Sequence, residues 1–411
     1  LMASEASGWC YPTPNSKPFD ITLKQTANTL HSARPQRTNM QNNRRNLLTQ
    51  GIIALLIQAC GNDGPPAGAT PAAEQAEQQV YEWKMITSWP KNLPALGTSP
   101  EYFADIVEQM SGGRMKIRVY GANELVGGLE VFDAVRQGVA EIGHSGAYYW
   151  QGKIPATPFF SSIPFGMTSY EQDAWLRFGG GNELWKELYA PFNLIPVRGG
   201  NSGTQMFGWF NKEINSLADL QGLKMRIPSL GGEVFRRAGG VPVTMQVSEV
   251  RTALQTGTLD ATEFVSPYND RANGYHEVAD YYYYPGWHEP GSTLETIFNK
   301  ESFEALPEDL QAILRAGAEV MNQTLLDELM AENNKALKSL EEEHGVELRR
   351  LPDDVLLELR RLSEEVVLEL AEKDETTRRV YESWNNFRKG VMNYNRIAEE
   401  ALIDARNLPL N

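Results

Sequence analysis

The stretch Gly257-Thr-Leu-Asp-Ala-Thr-Glu-Phe-Val-Ser-Pro-Tyr-Asn-Asp270 decides the fold. It reads as the end of a helix, a glycine turn, a buried strand, and a loop leaving the strand's carboxyl end. The loop begins at a carboxylate, Glu263, among apolar Ala261, Phe264 and Val265. In open α/β sheets, ligands collect just outside the carboxyl ends of strands. A carboxylate in such a place is costly unless a cation or a donor satisfies it. An earlier stretch has the same outline: residues 130–142 and 249–261 share Glu, Val, Ala, an aliphatic, Gly and an acid at matching offsets. The self-similarity predicts two related lobes, each aiming a loop (143–151 and 262–270) at a common cleft. The expected molecule is a two-lobed α/β binding protein.

The chain has 411 residues, a net charge of −15 and 41% hydrophobic residues, enough for two or three packed domains. The negative balance argues against nucleic acid, whose binders show a basic face. Only Cys10 and Cys60 occur, both near the N-terminus, so the body has no disulfide framework and no cysteine-based metal site. The five histidines lack the HExxH or HxxxH spacing of zinc sites.

Residues 1–39 are polar and aperiodic, and Met40 is the expected start of translation. From there a basic segment (Asn42-Asn-Arg-Arg-Asn46) precedes an apolar run over 47–59. The run is too short to span a bilayer, which needs ~20 apolar residues. Arg44-Arg45 resembles a twin-arginine export signal, and Ile57-Gln-Ala-Cys60 a bacterial lipobox. Residues 1–59 are therefore read as a leader with a lipoprotein-type signal, Cys60 as a lipidated anchor, and 60–79 as a flexible tether rich in Pro, Gly and Ala. The expected location is the periplasm, on a membrane surface.

The body alternates strands and helices. Strands are expected over 81–88, 115–120, 140–143, 193–198, 223–228 and 241–244, and helices over 129–137, 171–178, 183–189 and 233–238. A helix is expected to start with Ser99 as its N-cap and Pro100 at its first position. The aromatic loop containing Tyr148, Tyr149 and Trp150 reads mostly as packing, with a minority of its rings lining the cleft. Gly199-Gly-Asn-Ser-Gly203 reads as a crossing between lobes, followed by Gln205, Phe207 and Trp209 along a strand. Arg226 sits at a strand end before Pro228 and a Gly-rich segment, which makes it the best carboxylate clamp in the chain. Glu289, between His288 and Pro290, is either a surface turn acid or a second polar group reaching the cleft. The C-terminal part is helical, starting at Pro307 and again at Pro352. Its last helix carries Val380, Trp384, Phe387, Val391, Tyr394, Ala398 and Ala401 at 4-3 spacing. That seam packs either on the protein's own lobes or on a second copy.

The runs Gly222-Leu-Lys-Met-Arg-Ile-Pro228, Leu254 to Asp270 and Tyr281-Tyr-Tyr-Tyr-Pro-Gly-Trp-His-Glu-Pro-Gly-Ser-Thr-Leu-Glu295 carry a family resemblance. From Tyr81 onward the chain resembles the solute-binding subunit of tripartite ATP-independent periplasmic (TRAP) transporters, in the branch binding 2-oxo acids such as pyruvate, or lactate. The resemblance implies a periplasmic-binding-protein-like fold with crossing strands, a long connecting helix and a helical C-terminus. Lobe I is expected over 80–203 with 291–333, and lobe II over 204–290 with 334–411. It implies that Arg226 holds the ligand carboxylate and that Gln205 contacts ligand or ion. Glu263 would bind a bridging Na⁺ or Ca²⁺, Glu289 the ligand's polar substituent, and Tyr149 the ligand. That branch commonly has Trp after the metal-binding Glu. Here Phe264 keeps the backbone carbonyl for the ion and loses the indole N–H. Implied partners are a small carboxylate and the transporter's membrane subunits; a homodimer through the C-terminal helices stays open, since the family includes both monomers and dimers.

An exported hydrolase is the rival class, but the chain has no Gly-x-Ser-x-Gly elbow and no zinc motif. The expectation is a binding protein and not an enzyme. A ligand-sensing module on the same fold is the remaining alternative.

Overall fold

The computed structural model describes residues 79–409; the leader, Cys60 and all but the last residue of the tether lie outside them. Eleven strands are described: β1 (Tyr81–Thr87), β2 (Met115–Tyr120), β3 (Ile142–Ser145), β4 (Leu194–Asn201), β5 (Gly208–Phe210), β6 (Lys224–Arg226), β7 (Val241–Val243), β8 (Ala261–Thr262), β9 (Tyr281–Tyr284), β10 (Thr293–Asn299) and β11 (Glu347–Arg350). They form a five-stranded sheet, β2-β1-β3-β10-β4, and a six-stranded sheet, β11-β9-β5-β8-β6-β7. The first sheet is parallel through β2, β1 and β3, as the βαβ order requires, while β10 runs antiparallel to both β3 and β4. The second is mixed, with β5 antiparallel to β8 and β9.

Every residue of β3 and β10 is buried, as in strands covered on both faces, and the polar Glu295 and Asn299 of β10 are hydrogen-bonded there. Successive side chains point to opposite faces. Met85 and Phe298 therefore meet Phe103, Val107, Leu310 and Met321, while Ile86 and Ile297 meet Phe132, Trp150 and Trp185. The second sheet divides in the same way. Trp209 and Tyr282 pack with Val250 and Leu254, and Phe210 and Tyr283 pack with Phe235 and Leu359.

The chain crosses from the first sheet to the second between β4 and β5, and back between β9 and β10. The two crossings bond to each other: Ser202 N–H donates to Ser292 O (2.9 Å), Gln205 N–H to Glu289 O (3.3 Å) and Gly286 N–H to Gln205 O (3.1 Å). Gly286 is needed for this approach, since a Cβ there would sit 2.2 Å from the Gln205 carbonyl oxygen. The expected strand from Gln205 is thus shorter, beginning at Gly208, with 202–207 spent on the crossing.

Pro307 precedes a helix of 35 residues, Glu308–Glu342, opened by Glu308 and Asp309 at the positive end of its dipole. Its buried residues include Leu310, Leu314, Ala318, Met321, Leu325 and Leu329, a stripe at helical spacing. The helix packs on β4 of the first sheet and on the short helix Pro267–Ala272 that follows β8.

Two local expectations are corrected. Thr98, not Ser99, is the N-cap of the helix Ser99–Met110, and Ser99 is buried in its first turn. The helix expected at 233–238 starts at Ser229 and runs to Arg237, taking in Gly231 and Gly232. A Cβ on Gly232 would lie 2.5 Å from Ile227 O, so glycine lets the helix settle directly onto the end of β6.

In the helix Glu375–Asn395, Val380 and Trp384 are buried in this chain's own core, with Trp384 5.6 Å from Phe159 between ring centres. Phe387 and Val391 lean on the same core, whereas Tyr394 is 66% exposed. The proximal half of the seam is therefore intramolecular. Beyond it, Ile397, Leu402 and Leu408 remain exposed. No helix among the described residues is long and apolar enough to cross a membrane.

Candidate functional site

Parallel pairing of β6 with β8 sets Arg226 beside Thr262, and the ladder continues one step, Glu263 N–H donating to Arg226 O (3.1 Å). Both side chains are buried. Arg226 Nη1 donates to the Glu263 carbonyl (3.0 Å) and pairs with carboxylate Oε1, while His288 Nε2 lies 3.3 Å from Oε2. Burial is the largest influence on Arg226 and opposes its charge, but the Glu263 carboxylate together with Tyr149, Tyr148 and Tyr275 outweighs it and holds the guanidinium above its ordinary pKa. Arg226 Nη2 reaches the Tyr149 hydroxyl at 3.4 Å, and the guanidinium stands 5.8 Å from the centre of the Phe264 ring. Arg226 Nε is buried without a partner among the described residues.

The crossings bring in a second group. Gln205 Nε2 donates to Glu289 Oε2 (2.7 Å) and to Ser202 Oγ (3.0 Å), and Ser292 Oγ also donates to Glu289 Oε2. Burial, then the Glu263 charge, pushes the Glu289 carboxyl up to about 7. Gln205 Oε1 is buried and unpartnered among the described residues. Met206 N–H donates to Val265 O (3.1 Å), tying the first crossing to the segment that holds Glu263 and Phe264.

The remaining contacts hold these groups in place. Asp270 accepts from Trp209 Nε1 (3.1 Å) and Tyr282 OH (2.6 Å), anchoring the far end of the loop after β8; burial pushes its carboxyl up to about 7. At the first sheet, Trp89 Nε1 donates to His144 Nδ1 (3.0 Å). The His144 proton therefore resides on Nε2, which donates to Gly199 O (2.8 Å), and burial holds this imidazole down at about 4. A cavity of about 10 Å³ lies where Trp89, Tyr148, Ser202, Gln205, Arg226, Phe264 and Ser292 converge. It has room for roughly one water. A larger cavity, about 260 Å³, opens among Phe165, Arg360, Trp384 and Arg388, and none of the residues of this convergence lines it.

The oxygens this group could turn to a cation include the Glu263 carboxylate, the unpartnered Gln205 amide oxygen and the Phe264 carbonyl, to which no backbone N–H of the described residues is bonded. Among the described residues, no group of three or more His, Cys, Asp or Glu could hold a metal. An all-oxygen, singly charged set of this kind suits a hard cation completed by an anionic ligand.

Residues 85–374 match the model of bacterial extracellular solute-binding proteins, family 7. The chain belongs to this family. It is a family of binding proteins, not of enzymes, as the sequence led us to expect. The family 7 chain is 42% identical over 325 residues to a monocarboxylate 2-oxoacid-binding periplasmic protein of Nostoc sp., covering 79% of this chain and 89% of that one. Among solved structures, it is similar to a TRAP periplasmic solute-binding protein of Colwellia psychrerythraea with bound calcium and pyruvate. The TM-score is 0.78 at 38% identity, over 80% of this chain and all (100%) of that one. It is likewise similar to one of Pseudoalteromonas atlantica with bound sodium and pyruvate (TM-score 0.77, 39% identity, 79% and 99% covered). The two-lobed α/β fold of the family 7 proteins is thus the fold of this chain.

Every residue singled out from the sequence, Tyr149, Gln205, Arg226, Glu263, Phe264 and Glu289, lies in this one connected group. Of the two readings left open for Glu289, the buried one is observed. Sequence reasoning missed Ser202 and Ser292, which bind Gln205 and Glu289, and the contact of His288 with Glu263. Serines carry no periodic signal, and only the pairing of the two crossings brings them together.

Proposed function

We propose that this chain is the extracytoplasmic solute-binding subunit of a TRAP transporter, capturing a small monocarboxylate and delivering it to the membrane subunits. The ligand is a 2-oxo acid such as pyruvate, or lactate. The observation that carries this reading is the buried Arg226–Glu263 pair lying beside an unpartnered amide oxygen of Gln205. Arg226 offers two parallel donors to a carboxylate. Glu263 alone would repel an anion in a buried site. A bridging Na⁺ or Ca²⁺, held by Glu263, Gln205 and the Phe264 carbonyl, supplies the positive charge that lets the two anions share it. Glu289 and Tyr149 meet the ligand's remaining polar atoms. A three-carbon acid exceeds the space of one water, so capture requires the lobes (80–203 with 291–333, and 204–290 with 334–411) to part about the crossings. Pyruvate, lactate and longer 2-oxo acids, each with cation present, are expected to raise the melting temperature by mass action while being recovered unchanged. Conversion of any of them at stoichiometric protein would overturn the reading.

The same reading places the protein in the periplasm with Cys60 as its lipid anchor, supported by the apolar run that Cys60 closes. Cys60→Ser is expected to release the protein from membranes, and an unmodified Cys60 in the mature protein would contradict the anchor. A homodimer would use the exposed distal face, Tyr394, Ile397, Leu402 and Leu408, since Val380 and Trp384 are occupied internally. Truncation after Asn395 should then halve the mass seen by light scattering while sparing ligand binding, and a monomeric wild type would end the idea.

A further inference from the structure

We infer that Glu289 is a positioning residue: through the Gln205 side chain it decides which amide atom faces the cleft. The inference rests on the function proposed above and goes beyond it by giving Glu289 a task toward the cation rather than only toward the ligand. Gln205 has two neighbours on its Nε2 side, Glu289 Oε2 at 2.7 Å and Ser202 Oγ at 3.0 Å. In this arrangement neither donates to it. Ser202 Oγ gives its hydrogen to Gly203 O (3.0 Å) and already accepts from Ser292 N–H (3.2 Å). Glu289 Oε2 accepts from Ser292 Oγ as well, so a proton on this carboxyl would sit on Oε1 and leave Oε2 an acceptor.

A flipped amide would therefore press Gln205 Oε1 against the Glu289 carboxylate oxygen, keep a bond to Ser202 only if that hydroxyl left Gly203 O, and turn Nε2 into the cleft. Such contacts cost the desolvation of both partners without a bond to offset it. The observed orientation leaves Oε1 buried, without a partner among the described residues, on a crossing tied to the Glu263–Phe264 segment. An amide oxygen is a ligand for a hard cation; an amide NH₂ repels one. Glu289 thus makes the site competent for the ion without needing to touch it.

The test is ion-dependent pyruvate binding by calorimetry on the whole protein, titrating Ca²⁺ and Na⁺ at saturating pyruvate. In Glu289→Gln the introduced amide can donate to Gln205 Oε1 and removes the preference between the two orientations. The cation concentration for half-saturation is expected to rise by about 10–100-fold, as for other outer-shell partners of metal ligands. Combining it with Gln205→Glu restores a carboxylate–amide pair in the reverse order and again leaves an oxygen toward the cleft. The double variant is expected to return to within about threefold of the wild-type midpoint, a rescue that a merely structural role for Glu289 would not give. Should Glu289→Gln fold poorly by near-ultraviolet circular dichroism, Glu289→Asp, which keeps the charge and shortens the reach, is expected to show the same shift. A Glu289→Gln protein that loses pyruvate affinity with an unchanged cation midpoint would make Glu289 a ligand contact only and overturn the inference. A folded double variant without rescue would also overturn it. Failure of the wild type to bind any 2-oxo acid with either ion would instead refute the function proposed above.

Discussion

Two buried carboxylates, one on each sheet, have opposite surroundings. Glu295, inside β10, gives one oxygen to Trp150 Nε1 (2.5 Å) and the other to Tyr189 OH (2.9 Å). No cation approaches within salt-bridge distance among the described residues, and burial pushes its carboxyl up to about 7. Glu263, at the end of β8, pairs with a buried guanidinium and has unpartnered polar atoms around it, on Arg226, Gln205 and His288. Burial of an acid is therefore not what marks the site. Glu295 is satisfied by neutral donors and closes a structural network; Glu263 sits in a charged group whose donors and acceptors do not balance without a further partner. Native interiors rarely leave several such atoms together, and those that persist call for an explanation.

The sharpest separation of the two comes from Arg226→Lys. A single ammonium cannot supply two parallel donors, so pyruvate affinity should fall by ~2 kcal/mol or more by calorimetry. Glu295→Gln should leave that affinity unchanged, and equal losses would break the distinction. Its own effect should appear in stability. Below the ordinary carboxyl pKa both folded and unfolded chains hold the Glu295 proton. Between about 4.5 and 7 the folded chain keeps a proton that the unfolded chain has lost, so stability declines as pH rises through that window. Removing this group should flatten the decline by up to roughly 3 kcal/mol in urea titrations at pH 5 and pH 8. An unchanged slope would mean that Glu295 is ionised in the fold. The smallest effect expected is that of Tyr149→Phe, whose hydroxyl touches Arg226 at 3.4 Å. It should weaken pyruvate by about 0.5–1 kcal/mol, a loss visible in the dissociation constant and absent from stability.

Much of this was legible in the chain itself. The helix–glycine–strand outline at 130–142 and 249–261 announced two loops meeting at one place, and Tyr149 does reach Arg226. Arg226 and Glu263 stood out because charge is costly among apolar neighbours. What could not be read depends on distant pairing. The antiparallel insertion of β10 between β3 and β4, the bond of Gln205 to Glu289 across 84 positions, and the serines that orient them arise only when the crossings lie side by side. The start of the helix at Ser229 was hidden for a local reason: Gly231-Gly232 looks like a loop, and only the close approach to Ile227 shows why glycine is needed inside a helix. The C-terminal seam had the right spacing, but spacing does not say whose core it meets.

Calorimetry of pyruvate against protein stripped of Ca²⁺ and Na⁺, then with either ion restored, tests the central claim most directly. The account predicts little or no heat without the ion, and with it saturable one-to-one binding from which pyruvate is recovered unchanged. Equal affinity with and without the ion, or consumption of pyruvate, would contradict it.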